Sequence, residues 1–301
     1  MGSRSPKARL PLSPFNRNSR RGSGYYADFL LAVAGLIVGY IIYGSIVAKI
    51  FGADENRPTP AKTMADGVDY VEMPMWKVWL IQLLNIAGVG PVFGPILGAL
   101  YGPSALLWIV IGTIFAGAVH DYFSGMLSVR YKGANVPTIV GYNLGNVAKQ
   151  VMRVFAVILL LLVGVVFVAA PAGLLAKLTP DYMDQMFWVA VIFAYYFLAT
   201  ILPIDKIIGR LYPLFGAVLI IMAVGMTVTM FTNGCEFYNW ASFPNNHPQQ
   251  LPIFPLVFIT IACGALSGFH ATQSPLMSRC LSNEKQGKAV FYGGMVAEGF
   301  I

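Results

Sequence analysis

Charged side chains are scarce in this sequence. Asp, Glu, Lys and Arg together make up 11% of its 301 residues, whereas a soluble domain usually carries about 25%. The hydrophobic fraction is 57% and the mean hydropathy is +0.67. So few polar groups could not cover a water-facing surface of ordinary size. The composition therefore excludes an ordinary soluble domain and predicts an integral membrane protein.

Several motifs that carry chemistry are also missing. Cys235, Cys263 and Cys280 have no CxxC or metal-ligand spacing, so we expect neither a disulfide framework nor a zinc site. There is no G-x-x-x-x-G-K-[ST] loop for ATP and no Ser/His/Asp constellation. The acidic segment 66–74 lacks the loop length of a calcium hand. We therefore expect no resident metal or cofactor and no enzymatic activity.

Long apolar runs, in contrast, are abundant. About 20 apolar residues span a hydrocarbon core roughly 30 Å thick. Because backbone in lipid must satisfy its own hydrogen bonds, we interpret each run as a helix. The sequence predicts an all-α, polytopic membrane protein in which residues 29–301 form a single transmembrane domain. Since the last run is only half a span, we expect this domain to be incomplete at its C-terminus. The runs lie at 29–48, 78–100, 103–128, 154–176, 185–203, 211–232, 252–275 and 289–301.

The basic residues indicate an orientation. The net charge of +7 is scattered over short loops rather than gathered into a patch, so we expect no nucleic-acid partner. Beyond the first span, one face carries thirteen Lys and Arg residues, whereas the other carries Lys177 alone. The positive-inside rule places the first face in the cytoplasm. Its basic residues are Lys49, Arg57, Lys62, Lys77, Arg130, Lys132, Lys149, Arg153, Lys206, Arg210, Arg279, Lys285 and Lys288.

Residues 1–28 form a basic leader that disagrees with this orientation. They are rich in Ser, Pro, Asn and Gly without an apolar period, which is typical of disorder. The loop count places the leader outside the cell, despite its many Arg and Lys residues. Either the leader reverses the first span or it does not belong to the natural mature chain, and we favour the second interpretation.

Two spans are rich in Gly and Pro near their centres. The second contains IAGVGPVFGP (86–95) and the seventh contains CGALSGFH (263–270). Ordinary helix packing through small residues would explain one such span. Interrupted segments in corresponding positions instead indicate a transporter with inverted repeats. The two spans are five apart, so they run in opposite directions, as two inverted five-helix repeats require.

These interruptions predict a substrate site. Unwound backbone at mid-membrane is tolerated only where it lines a cavity. A half-helix beginning near Pro91 would direct unpaired N–H groups at an anionic group such as a carboxylate, and free carbonyls near the breaks suit a cation. We predict that the substrate-binding residues are Asn85, Ala87, Gly88, Gly90, Pro91, Gly264, Ala265, Ser267 and Gly268.

Four ionisable residues lie within the predicted spans. Such residues are costly in lipid and are functional candidates by default. His120 and Asp121 are adjacent in the third span, His270 follows the second interruption, and Glu298 lies in the eighth run. We predict that these four residues couple transport to protons. For Asp121 the alternative is a bond to a neighbouring helix terminus, and for His270 it is hydrogen bonding within the core.

Five stretches carry a specific family resemblance: PTPAKTMADGVDYVEMP (58–74), NIAGVGPVFGPILGALYG (85–102), GAVHDYFSGMLSVR (117–130), FITIACGALSGFHATQSP (258–275) and VFYGGMVAEGF (290–300). They resemble the carbon starvation protein A (CstA) family of bacterial membrane proteins, over most of the chain after the leader. The resemblance implies a LeuT-like fold of the amino acid–polyamine–cation transporter type, with the second and seventh spans as its broken helices and 29–48 as one extra leading helix. Family members are longer, which agrees with a missing C-terminal part.

The resemblance also implies a function. It implies a multi-pass transporter of the bacterial inner membrane that is induced in carbon starvation. The expected cargo is a small carboxylate-bearing nutrient, either peptides or pyruvate, and the expected coupling ion is the proton, with sodium as the alternative. A starvation-responsive membrane sensor would need an output domain, for which we find no segment. A channel would need polar rings along a pore, and these spans are too apolar for that.

Overall fold

The computed structural model describes residues 25–88, 90–201, 205–233, 243–265 and 269–301. These residues form helices and turns, with no strand among them beyond an isolated bridge between Met73 and Leu281. The all-α prediction is therefore confirmed for the described part of the chain. The α-helices are α1 (Tyr25–Ile41), α2 (Tyr43–Phe51), α3 (Pro60–Thr63), α4 (Met75–Ile86), α5 (Gly90–Gly98), α6 (Pro103–Gly112), α7 (Ala118–Arg130), α8 (Val136–Leu144), α9 (Asn146–Leu178), α10 (Gln185–Ile201), α11 (Asp205–Thr232), α12 (Ile253–Ala265), α13 (His270–Ser278) and α14 (Gly293–Phe300).

Several helical stretches have the length and composition of membrane spans. Within the described ranges, four of them are long enough to cross a bilayer. Two shorter apolar helices, Gln185–Thr200 and Ile253–Ala262, accompany them. The chain is therefore a membrane protein with several apolar helices. The four long stretches are Ala27–Phe51, Pro103–Arg130, Asn146–Leu178 and Leu214–Thr232.

The helix bounds differ from the predicted spans at several places. Tyr25–Asp28, assigned to the disordered leader, belong to α1, while residues 1–24 lie outside the described residues. Helix α9 begins at Asn146 rather than at 154, and α11 begins at Asp205 rather than at 211. Hydropathy marks only the lipid-crossing part of a helix, so it misses polar turns that extend beyond the bilayer.

Helix α8 was not predicted at all. It begins because the Asn135 side chain accepts a hydrogen bond from the Thr138 N–H at 3.0 Å, a standard N-cap, with Pro137 in the first turn. It ends at Gly145, whose φ of 89° is accessible to glycine and rarely to other residues. The helix is too short for a span, which is why an apolar-run analysis missed it.

Two π-helical turns shape the core. One, Thr113–Gly117, joins α6 to α7, and the other, Lys288–Tyr292, leads into α14. The Tyr292 hydroxyl donates to the Ile114 carbonyl at 2.9 Å and so ties the two turns together. Such turns are rare and occur frequently at functional sites. Here they bring α7 and α14 into the same buried cluster.

Close packing in this cluster depends on a glycine. A Cβ atom added at Gly125 of α7 would lie 2.4 Å from the ring of Phe291. The absence of a side chain at Gly125 therefore lets the second π turn approach α7 directly. Tyr122, Met126, Phe291, Tyr292 and Met295 are all fully buried around this contact. The result is a closely packed apolar cluster that includes residues of α7 and α14.

The two interrupted spans run in opposite directions. Helix α5 packs against α12, and α4 packs against α13. The second half of one span therefore contacts the first half of the other, which is possible only in an antiparallel arrangement. The antiparallel relation predicted from the span count is confirmed by this packing.

Candidate functional site

The first interruption is present but shorter than predicted. Helix α4 ends at Ile86, and Ala87 leaves the helical region with φ −77° and ψ 63°. The Gly88 N–H then donates to the Ile86 carbonyl at 2.9 Å, and α5 begins at Gly90. The half-helix predicted to begin near Pro91 therefore begins one residue earlier, and its regular conformation continues through 91–95. Pro91 lies in the first turn of α5, where a missing N–H leaves no hydrogen bond unmade, and Pro95 is accommodated inside the helix.

The second predicted interruption is described only in part. Cys263–Ala265 continue helix α12, so the irregular conformation predicted for Gly264 and Ala265 was wrong. Glycine and alanine remain helical when the flanking residues sustain the helix. Leu266–Gly268, which include the predicted site residues Ser267 and Gly268, lie outside the described residues. Helix α13 begins at His270.

One aromatic residue of α9 contacts both regions. A Cβ atom at Gly88 would lie 2.5 Å from Cζ of Phe167. The Phe167 ring also packs against Phe269, with ring centroids 5.7 Å apart. Phe167 therefore occupies the space between the first interruption and the start of α13. The predicted site residue Asn85 lies one turn earlier, near the end of α4.

The two histidines predicted for proton coupling meet. Nδ1 of His120 lies 3.3 Å from Nδ1 of His270, although the residues are 150 positions apart. In a pair of neutral imidazoles one Nδ1 donates and the other accepts. His270 is fully buried, while His120 is exposed on the surface of this chain. The pair thus links a buried helix start to an accessible position.

Asp121 lies at the centre of a buried polar cluster. The Gln82 amide of α4 donates to Asp121 Oδ1 at 2.9 Å and lies 3.0 Å from Oδ2. The hydroxyl of Ser274 on α13 also donates to Oδ1, and Gln82 Nε2 lies 3.1 Å from the Ser274 oxygen. Asp121 therefore bonds side chains on two neighbouring helices, whereas the alternative interpretation placed it at a helix terminus.

Glu298 completes the cluster from α14. Its side chain is only 2% exposed, and within the described part of the chain neither of its carboxylate oxygens has a hydrogen-bond partner. Gly294, one turn earlier on the same face of α14, would place a Cβ 3.5 Å from Cγ of Gln82, the residue that bonds Asp121. Folding therefore gathers all four predicted coupling residues in the region around α7, α13 and α14.

The interface between α7 and α13 remains polar towards its far end. Ser278 Oγ lies 2.8 Å from Ser128 Oγ, and the Ser128 hydroxyl donates to the Ala134 carbonyl at 2.7 Å. Together with the His120–His270 and Asp121–Ser274 contacts, these bonds show that the two helices run parallel. A seam of small polar residues thus extends from the start of α13 to its last turn.

A buried ion cluster closes the end of this seam. Glu284 is fully buried and accepts bonds from Arg130 Nε at 2.9 Å and Arg130 Nη2 at 3.2 Å. The Asp54 N–H donates to Glu284 at 3.0 Å, and Arg57 Nη1 lies 3.5 Å away. The cluster therefore joins three segments, 52–57, the end of α7 and 281–287, all of which the basic-residue count assigns to one face.

Several site residues were not predicted from the sequence. Gln82 and Ser274 are neutral, so the search for ionisable groups passed over them, although a glutamine within an apolar span was a usable signal. Phe167 lies among many other apolar residues of α9 and carries no sequence signal. Glu284 lies in a polar loop where acidic residues are usual, and only the fold shows that it is buried.

The acidic loop between α3 and α4 is organised by one carboxylate. Asp66 Oδ1 accepts the backbone N–H groups of Val68, Asp69 and Tyr70, each at 2.9 Å. The bonds from Tyr70 and Val68 lower the pKa of Asp66 from its usual value of 3.8. The carboxylate thus holds the loop's own backbone. The Tyr70 hydroxyl in turn donates to the Lys132 carbonyl at 3.0 Å and connects the loop to the end of α7.

We expect the Asp66→Ala variant to loosen this loop. Because the folded pKa is lowered, the ionised carboxylate stabilises the loop above pH 3.8, and this contribution is lost as the pH falls through the folded value. The variant should therefore be cleaved faster than the parent chain by thermolysin between α3 and α4 at neutral pH. In acid the two chains should be cleaved by pepsin at similar rates. Asp69→Ala removes a neighbouring carboxylate without these bonds and should behave like the parent at both pH values; equal effects of both variants would contradict the assignment.

The chain is similar in sequence to known bacterial membrane proteins. The family model described as "Carbon starvation protein CstA" matches residues 27–183 and 176–301. An uncharacterized membrane protein of Haemophilus influenzae is 51% identical over 324 residues, covering 91% of this chain and 87% of that protein. No solved structure matches the chain.

Named relatives point to transport. The peptide transporter CstA of Campylobacter jejuni is 31% identical over 94% of this chain and 50% of its own length. The peptide transporter CstA of Escherichia coli is 27% identical over 88% of this chain and 47% of its own length. The chain thus spans about half the length of these relatives, which are named as transporters and not as enzymes. With a family model that matches nearly all of the described residues, the chain belongs to the CstA family.

Proposed function

We propose that this protein is a secondary active transporter of small carboxylate-bearing nutrients, with short peptides as the first candidates and pyruvate as the second. The observation that carries the proposal is an interruption, between Ile86 and Gly90, that begins one turn after Gln82, the α4 residue that bonds the buried Asp121. Irregular backbone and buried charge are both costly inside a membrane and persist where they serve transport. The relatives named as peptide transporters support the choice of substrate.

The proposed substrate site lies around the interruption. Gly90 and Pro91 begin α5, whose N-terminal dipole end suits a carboxylate. Asn85, Ala87 and Gly88 border the same gap from α4. Gly264, Ala265, Ser267 and Gly268 belong to the proposed site from the antiparallel span, on the basis of their sequence pattern. Phe167 lies between the two sides and would have to move when a substrate enters.

The proposed fold is LeuT-like, with α1 and α2 as one extra leading element before the first repeat. The pairing of α5 with α12 and of α4 with α13 supports it, because inverted repeats place their broken helices side by side and antiparallel. We further propose an inner-membrane location in bacteria, with segments 52–74 and 279–288 in the cytoplasm, and a role in carbon starvation. The clustering of these segments around Glu284 supports their placement on one face.

We propose that the proton is the coupling ion. His120, Asp121, His270 and Glu298 supply the titratable groups, and Gln82 connects Asp121 to α4, the helix that ends at the interruption. Sodium is the alternative ion, since buried carboxylate and amide oxygens can also bind it. Alternating access would then expose this group first to one side of the membrane and then to the other.

Transport by the full chain in proteoliposomes tests the proposal. A labelled dipeptide and labelled pyruvate are each offered with an inward proton gradient, with an inward sodium gradient, or with no gradient. We expect accumulation of at least one of them under the proton gradient and its collapse after addition of a protonophore. Liposomes without protein provide the control. Equal uptake with and without every gradient, or none above the control, would contradict secondary active transport.

A further inference from the structure

The buried carboxyl pair Asp121 and Glu298 has an unequal set of hydrogen-bond partners. Asp121 accepts bonds from the Gln82 amide and the Ser274 hydroxyl. Glu298 has no partner for either oxygen within the described residues. Both side chains are nearly inaccessible, at 0% and 2% exposure. Two acidic groups with such different surroundings cannot be equivalent.

Unpartnered oxygens cluster around Glu298. Gly294 lies one turn before Glu298 on the same face of α14, and a Cβ there would lie 3.5 Å from Cγ of Gln82. A Cβ at the next residue, Gly299, would lie 3.0 Å from Thr113 Oγ1. Gln82 Oε1 and Thr113 Oγ1 are fully buried and, like the Glu298 oxygens, have no hydrogen-bond partner among the residues described. Of these unpaired oxygens only the Thr113 hydroxyl can donate, so the two Glu298 oxygens and Gln82 Oε1 outnumber it as acceptors.

No cationic side chain balances the two carboxyl groups. Among the described residues the ion pairs of Lys and Arg involve Glu284, Glu72 and Glu55, and none reaches Asp121 or Glu298. The other titratable groups near the pair are His120 and His270, which contact each other. Two carboxylates buried around the same glutamine without a counter-charge would repel each other in this low-dielectric setting. A single bound proton removes one negative charge and also supplies the donor that the oxygens lack.

We propose that Glu298 is the residue that binds the exchangeable proton, opposite an ionised Asp121 held in place by Gln82 and Ser274. The assignment follows from hydrogen bonding, because the donors to Asp121 satisfy its ionised form while nothing satisfies the ionised form of Glu298. The proton adds to a Glu298 carboxylate oxygen and leaves from the same oxygen, so no other bond changes. Release requires that water reach the pair, which ties deprotonation to an open conformation. The transport role of this proton rests on the proposed function, whereas the binding site itself does not.

Infrared spectroscopy of the purified full chain in lipid nanodiscs tests the assignment without any transport. At neutral pH the parent should show the carbonyl stretch of a protonated carboxylic acid, shifted in deuterium oxide. Glu298→Gln should lose this band, Glu298→Asp and Asp121→Asn should keep a band of this type, and Glu72→Gln, which removes an exposed carboxylate, should leave it unchanged. A band that persists in Glu298→Gln, that is lost in Asp121→Asn, or that disappears when sodium is added would overturn the proposal.

A transport measurement separates this inference from the proposed function. If the proton on Glu298 drives transport, Glu298→Gln should exchange labelled for unlabelled substrate but should not accumulate it against a gradient. Loss of the band together with normal accumulation by the variant would overturn the coupling role and leave the proton site in place. Absence of transport by the parent chain would defeat the proposed function, while the spectra would still decide the site.

Discussion

Replacing Gly88 with Leu is expected to reduce substrate uptake about 100-fold, the size of effect seen when site geometry shifts by roughly 1 Å. Gly88 lies in the interruption between α4 and α5, where an added Cβ would meet Cζ of Phe167 at 2.5 Å. No real Cβ contact is that short, so Phe167 or the interrupted backbone must move. Movement of the backbone displaces the groups proposed to bind the substrate, and if Phe167 moves instead, the leucine side chain fills the space that the substrate would need.

The same contact provides matched controls. Gly164 lies in α9, the helix of Phe167, and a Cβ there would meet nothing within 4 Å. Gly164→Leu should therefore insert and transport like the parent chain. Phe167→Ala should restore part of the uptake of Gly88→Ala, because it removes the ring that the new methyl group strikes. Uptake by Gly88→Leu equal to that of Gly164→Leu would show that the interruption is not part of the site.

The membrane helices were largely predictable because lipid imposes a simple length and polarity rule. Eight apolar runs correspond to helices in the described chain, and the opposite direction of the two interrupted spans follows from counting alone. The residues at which the helices begin and end were less predictable. The Asn135 cap and the φ of 89° at Gly145 decide where α8 and α9 begin, and these features depend on a few local atoms that hydropathy does not sense.

The interruptions show where propensity reasoning fails. Gly and Pro in 86–95 predicted an interruption followed by a half-helix near Pro91, and the helix resumes at Gly90. A proline in the first turn lacks only a bond that no helix makes there. The Gly and Pro content of a span therefore shows where its helix is interrupted but not how many residues the interruption includes. Gly264 and Ala265, by contrast, continue α12, so a small residue near the end of an apolar helix does not by itself interrupt it.

The candidate site could be predicted only by residue type. Asp121 and Glu298 are visible as charges in apolar runs, and the two histidines are visible for the same reason. Their contacts were not predictable, because the His120–His270 and Asp121–Ser274 contacts join residues about 150 positions apart. A neutral residue such as Gln82 is recognised as part of the site only from its hydrogen bond to Asp121. Tertiary packing, rather than local sequence, makes these residues a site.

Replacement of Glu284 is the second change for which we expect a large effect, in this case on the stability of the fold. Glu284→Gln is expected to lower the free energy of unfolding by about 3 kcal/mol, at the lower end of the range for breaking a buried ion pair. The lower end applies because Arg130 retains 28% side-chain exposure, so water can partly replace the lost carboxylate. The variant also leaves the Asp54 N–H and Arg57 with a weaker acceptor. Unfolding in a denaturing detergent, followed by circular dichroism, measures the difference.

A second ion pair in the same region is the control. Lys285 and Glu55 pair on the surface with side chains about 60% exposed, and such pairs contribute roughly 1 kcal/mol or less. Glu55→Gln should therefore change stability much less than Glu284→Gln. Each variant removes one carboxylate that connects segments 52–57 and 281–287. If Arg130 is the main partner, Arg130→Gln combined with Glu284→Gln should cost less than the sum of the single changes. Strict additivity, or equal losses from Glu55→Gln and Glu284→Gln, would show that the cluster does not hold segments 52–57 and 281–287 against the end of α7.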